Sequence, residues 1–164
     1  MIELYEGVPG SGKSYHAICE KFLPWVKQGR RLYIAVDGIY LDRLALFTGI
    51  ELAALEQQIT IWKDSVEVLQ AFPYVEPGSA VIIDEAQTVF RSMQKVEPGL
   101  LRWLETHRHY GVDILLMSQD FRQMSQGVTR LIEATVKFRK LAFVGLSKKY
   151  QGKVRGNPED NEVI

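Results

Sequence analysis

The spacing of apolar side chains changes period several times along the chain. Residues 2–6 alternate apolar and acidic side chains, as a half-buried strand does, and Tyr15, Ile18, Cys19, Phe22 and Val26 then recur at helical spacing. Strand, glycine-rich loop and helix are therefore predicted in that order. Pro24 falls inside the helical periodicity and is expected to kink it, and Gly29 stands where a helix C-terminal glycine belongs. Residues 32–36 read as a second strand, followed by a loop at Asp37 and Gly38. Dense apolar positions over residues 41–55 predict one or two covering helices. A short strand at 59–62, a helix at 66–72 stopped by Pro73, and a turn at Pro77-Gly78 follow.

Residues 80–84 form an apolar run closed by an acid, the pattern of a buried parallel strand whose carboxyl end reaches a site. Leu100, Trp103, Leu104 and His107 share one helical face, with Gly111 closing that helix before a strand at 113–118. On that face His107 reads as a core histidine. Residues 128–133 are predicted helical, residues 135–144 strand-like, and residues 147–164 a polar, flexible tail after a domain spanning residues 1–146. Alternating strands and helices of these lengths define an α/β fold with a mainly parallel sheet flanked by helices on both faces.

Composition narrows this only slightly. A chain of 164 residues, 46% hydrophobic, is enough for one well-cored domain. Twenty basic and twenty acidic residues cancel, so no global field draws in nucleic acid or membrane. The neutral total hides one local excess: Lys137, Arg139, Lys140, Lys148, Lys149, Lys153 and Arg155 fall between residues 134 and 158 without an acid. That run fits contact with DNA phosphates or anionic lipid, and equally fits solvated charges guarding a sheet edge. The lone Cys19 excludes an internal disulfide. No signal peptide is expected at the start of the chain, and apolar runs such as 114–117 fall far short of the roughly 20 residues a membrane helix needs.

The chemistry concentrates in Gly7-Val8-Pro9-Gly10-Ser11-Gly12-Lys13-Ser14, which fits the phosphate-loop pattern and lies between a predicted strand and helix. Glycines let successive backbone N–H groups turn inward, and the following helix start adds positive potential for phosphate oxygens. Gly7 to Ser14, with Tyr15 following, form the expected nucleotide grip. Lys13 is expected on the β- and γ-phosphates and the Ser14 hydroxyl on Mg²⁺. Asp84, 71 positions beyond Lys13, is the expected second metal ligand, and Glu85 the group that polarises water for attack on the γ-phosphate. No Asn-Lys-x-Asp segment occurs, and Glu85-Ala86-Gln87 follows Asp84 where a switch glycine would stand in many GTPases, so ATP is favoured over GTP. Gln119, leaving a predicted strand after Ser118, is the candidate γ-phosphate sensor. Arg102, Arg108, Arg122 and Arg130 are candidates for an arginine supplied to a neighbouring subunit, Arg108 first. With only His16, His107 and His109 in the chain, a zinc site is not expected.

Residues 7–14, residues 80–87 and the run ETHRHYGVDILLMSQ at 105–119 together resemble the zonular occludens toxin (Zot) family, which includes the filamentous-phage assembly ATPases. The resemblance covers roughly residues 1–146, and its most specific part is His107-Arg108-His109 followed by glycine and an apolar strand. It implies a P-loop NTPase fold and an ATPase domain on the cytoplasmic face of the bacterial inner membrane that powers assembly and extrusion of single-stranded-DNA phage. It further implies a ring-forming homo-oligomer, phage assembly partners including the phage ssDNA complex, and a membrane helix beyond this segment. Two other readings share the phosphate loop: a small-molecule or nucleotide kinase, and a nucleotide-gated binding module with little turnover.

Overall fold

Each central strand sends alternate side chains to opposite faces of one sheet, and both faces are apolar. The computed structural model describes residues 1–140 and 150–156. Among these, seven strands run in the order β3 (Ile59–Ile61), β2 (Leu32–Ala35), β4 (Ala80–Ile83), β5 (Asp113–Ser118), β1 (Ile2–Glu6), β6 (Ala134–Lys140) and β7 (Tyr150–Arg155). All neighbouring pairs are parallel except β6 and β7. On one face Tyr5, Ile34, Ile82, Leu115 and Met117 meet Ala17 of α1 (Lys13–Ala17), Val26 of α2 (Leu23–Lys27), Leu44 of α3 (Leu41–Thr48) and Leu55 of α4 (Leu52–Gln58). On the other, Leu4, Val81, Ile83, Ile114 and Leu116 meet Val68 of α5 (Ser65–Ala71), Val89 of α6 (Ala86–Val89), Leu100 and Leu104 of α7 (Pro98–Thr106) and Val128 of α8 (Gln126–Thr129). The expected α/β architecture with helices on both faces is therefore present. Among the described residues no helix is long and apolar enough to cross a membrane.

The helix after the glycine loop does not simply kink at Pro24. A π-helical turn over Ile18–Phe22 joins α1 to α2, and the Leu23 N–H bonds back to the Ile18 carbonyl, five residues earlier. The wider turn relieves the crowding a proline ring would create against the carbonyl four residues before it. Phe22 and Val26 stay in the core on either side of the change.

Two expectations need correction. Residues 128–133 carry helical spacing, yet α8 ends at Thr129, because the Glu133 N–H is taken by the Ile2 carbonyl at 2.9 Å, which leads the chain into β6. Within the segment expected to be a flexible tail, Tyr150–Arg155 pairs antiparallel with β6, with Lys137 opposite Lys153 and Phe138 opposite Gly152. Residues 141–149 and 157–164, including Lys148 and Lys149 of the basic run, lie outside the described residues.

Candidate functional site

β1 delivers the glycine loop to the carboxyl edge of the sheet. The Gly7 N–H donates to the Ser118 carbonyl at 3.1 Å, tying the loop to the end of β5. A Cβ on Gly7 would lie 2.6 Å from the Phe138 carbonyl oxygen and 2.7 Å from Ser11 Oγ, so only glycine fits between loop and β6. Gly10 and Gly12 adopt φ of 68° and 97°, the left-handed region that turns the loop back on itself. Val8, Pro9 and Gly10 stand exposed at the mouth, Ser11 and Lys13 are buried, and Tyr15 lies exposed just beyond. Among the described residues no carboxylate pairs with Lys13, although its side chain is only 6% exposed. Ser11 Oγ is likewise buried without a partner. A buried cation with no counter-charge is costly, and this one sits in a glycine loop whose left-handed turns at Gly10 and Gly12 suit backbone N–H groups to an anion.

β4 brings the acids to the same edge. With strands about 4.8 Å apart and β5 lying between β1 and β4, the two loops rise roughly 10 Å from one another. Asp84 continues the ladder, its N–H on the Ala35 carbonyl at 2.8 Å, and its Oδ2 accepts from Ser14 Oγ at 3.2 Å. The two expected metal ligands are thus in contact. They are hard oxygen donors, and no set of three metal-ligating side chains occurs among the described residues. Such a pair suits Mg²⁺, which takes its remaining ligands from phosphate oxygens and water.

Glu85 is the sole non-glycine residue with positive φ among the described residues, at 49°. Left-handed backbone costs an ordinary side chain about 1–2 kcal/mol, and such strain collects at functional positions. Its own N–H bonds to Asp84 Oδ1 at 2.8 Å, and Gln119 Nε2 reaches its two carboxylate oxygens at 3.3 and 3.4 Å. Lys13, Ser14, Asp84, Glu85 and Gln119 therefore share one edge. Sequence reasoning did not single out Gln87, whose amide also donates to Glu85. Nor did it single out Glu6, which pairs with Lys137 at 3.0 Å beside the loop. The position of Glu6 at the last residue of β1 was the available signal.

The arginines divide differently. Arg122, three residues beyond Gln119, pairs with Asp120 at 2.7 Å, while Arg102 and Arg130 are exposed. Arg108 lies at the opposite, amino edge of the sheet, paired with Glu133, whose Oε1 also accepts from the Ile2 N–H at 3.1 Å. Any contact of Arg108 with a phosphate site would be with that of another subunit. Burial would raise the Glu133 carboxyl, but the Arg108 hydrogen bond and the Ile2 N–H hold it below its ordinary range. A depressed carboxyl adds stability above its unfolded pKa and loses it as pH falls through the folded value. Arg108→Ala should thus lower Tm at pH 7, with the difference shrinking as the pH drops below about 4. Melting curves at pH 7, 5 and 3 check this. His107 is buried as expected, its Nδ1 on the Leu104 carbonyl at 2.6 Å, and burial holds its imidazole below the ordinary value.

This sheet order, with a glycine loop after β1 and an acid pair after β4, is that of a P-loop NTPase. The chain belongs to the zonular occludens toxin (Zot) family, whose model matches residues 1–162. Protein ORF301 of Pseudomonas phage Pf3, which carries an assembly designation, is 32% identical over 126 residues, covering 73% of this chain and 36% of that protein. The N-terminal domain of zonular occludens toxin from Neisseria meningitidis superposes with a TM-score of 0.58 at 20% identity, covering 96% of this chain and 94% of that domain. The genome packaging NTPase of Sulfolobus turreted icosahedral virus 2, solved in complex with ATP-gammaS, superposes with a TM-score of 0.62 at 18% identity over 99% of this chain and 95% of that one. The chain spans 36% to 42% of the length of the curated relatives it matches.

Proposed function

We propose that this chain is the ATP-hydrolysing motor domain of a phage-assembly protein, working at the cytoplasmic face of the bacterial inner membrane. The observation that carries hydrolysis is the gathering of a buried, uncompensated Lys13, the Ser14–Asp84 contact and a strained Glu85 at one edge of the sheet. The triphosphate lies along the loop from Gly7 to Tyr15, with Lys13 on its terminal phosphates. Ser14 and Asp84 would hold Mg²⁺, which would offset charge on the transferring phosphoryl group. Glu85 takes a proton from water as the water oxygen bonds to the γ-phosphorus and the bond to the β–γ bridging oxygen breaks, giving ADP and phosphate. Gln119, bonded to Glu85, is placed to sense the γ-phosphate. Arg102, Arg108, Arg122 and Arg130 form no hydrogen bond or ion pair with Lys13, Asp84, Glu85 or Gln119. An arginine supplied by a second copy in a ring would add to the charge stabilisation from Lys13.

The phage role is supported by the family and by the assembly designation of the Pf3 relative. Phosphate release from ATP tests the proposal, measured for this chain and for the full-length protein on membranes. Mg²⁺-dependent release that stops with EDTA and ignores added acceptors is expected. Phosphate appearing on an acceptor, or tight nucleotide binding without turnover in every assembly state, would sink hydrolysis.

A further inference from the structure

The Glu85 carboxylate is gripped by two amides of different origin. Gln119 stands at the end of β5, and Gln87 in the first turn of α6, directly after the strained residue. Asp84 and Glu85 are placed by β4, but β4 ends at Ile83, so the backbone alone leaves the Glu85 side chain free to swing at an exposed position. The amide of Gln87 removes that freedom from the helix side and Gln119 from the sheet side.

The orientation of the Gln87 amide follows from chemistry. An ionised carboxylate only accepts, so the NH₂ end faces Glu85 and the carbonyl end faces away. That carbonyl oxygen, Oε1, is buried and has no donor among the described residues.

We propose that Gln87 is a positioning residue for hydrolysis: its Nε2, donating to Glu85 from the first turn of α6, fixes the carboxylate for proton abstraction. The inference rests on the reading of Glu85 as the group that activates water. An apolar side chain of similar length would fill the same space yet donate nothing to Glu85.

Gln87→Met tests this, in the full-length protein wherever this chain alone turns over too slowly to measure. The expected result is a kcat lower by about 10- to 100-fold, as for a displaced catalytic group, with KM within about twofold of the parent. Tm should stay near that of the parent. Because Gln87 acts through Glu85, adding Gln87→Met to Glu85→Gln should lower kcat no further. Unchanged kcat in Gln87→Met, while Glu85→Gln loses turnover, overturns this inference alone. A fall in kcat matched by lost thermal stability, or a further loss in the double variant, overturns it in favour of a packing role. Full turnover in Glu85→Gln, or none in the parent protein in any assembly state, removes the Glu85 reading and this inference with it.

Discussion

Lys13→Ala should abolish ATP turnover while leaving the nucleotide-free chain at least as thermally stable as its parent. Most lysine-to-alanine changes at buried positions remove useful packing. This one also removes a cation that no carboxylate among the described residues compensates. Desolvating an unpaired ammonium disfavours the empty fold, so its loss offsets the packing that disappears with the side chain. In the nucleotide complex the balance reverses. A charged hydrogen bond is worth about 1.5–3 kcal/mol, roughly 10- to 150-fold in affinity. Loss of a donor aimed at developing charge costs a further 10²- to 10³-fold in rate, in order of magnitude. Titration with a fluorescent ATP analogue and a thermal melt of the empty protein measure the two arms. Parental affinity, or a steep fall in the Tm of the empty chain, would show that Lys13 serves the fold rather than the phosphates.

Glu85→Gln should separate binding from chemistry. The substitution keeps shape and removes the one property a general base needs, and such groups contribute about 10²- to 10⁴-fold. Affinity for Mg-ATP should survive, because Lys13, Ser14 and Asp84 are untouched and Glu85 is not part of the phosphate cradle. The variant should accumulate bound, uncleaved ATP, visible by extracting nucleotide from the protein after a single-turnover mixture. ADP appearing at the parental rate would falsify the assignment of Glu85. The change also weakens the local network, since a neutral amide accepts more weakly than a carboxylate from Gln119 and Gln87.

The grip on nucleotide was legible in the sequence because its parts are contiguous: Gly7 to Ser14 sit on one loop, and the strand before and helix after them carry clean periodicities. Asp84 and Glu85 were legible because a buried parallel strand has few uses for two consecutive acids at its end. The gathering of Glu85 with Gln119 was less so, since these residues lie 34 positions apart and meet only because β5 pairs with β4. Gln87 could not be read at all. A four-residue helix leaves no periodicity to detect, and the amide matters only through its contact with Glu85.

Errors arose where local pattern and tertiary demand disagreed. Val128, Leu131 and Ile132 have helical spacing, but all three pack on the core from a short helix and the turn after it, while Glu133 is already paired with β1. Tyr150 to Arg155 looked like tail because Gly152 and charged residues mask the alternation of an edge strand. Arg108, expected as an arginine supplied to a neighbouring subunit, stands at the far edge of the sheet, paired with Glu133, where only its position in the fold and not its sequence context shows that its own phosphate loop is out of reach.

The π turn over Ile18–Phe22 also bears on how relatives diverge. Such a turn amounts to one residue inserted into a helix, so deleting a residue there restores a regular α-helix without rotating the flanking faces, and Phe22 and Val26 keep their places in the core. The same deletion would bring the ring of Pro24 against a carbonyl one turn earlier. Insertion and proline are therefore expected to go together: relatives with a straight helix should carry a one-residue gap here and a different amino acid at the position of Pro24.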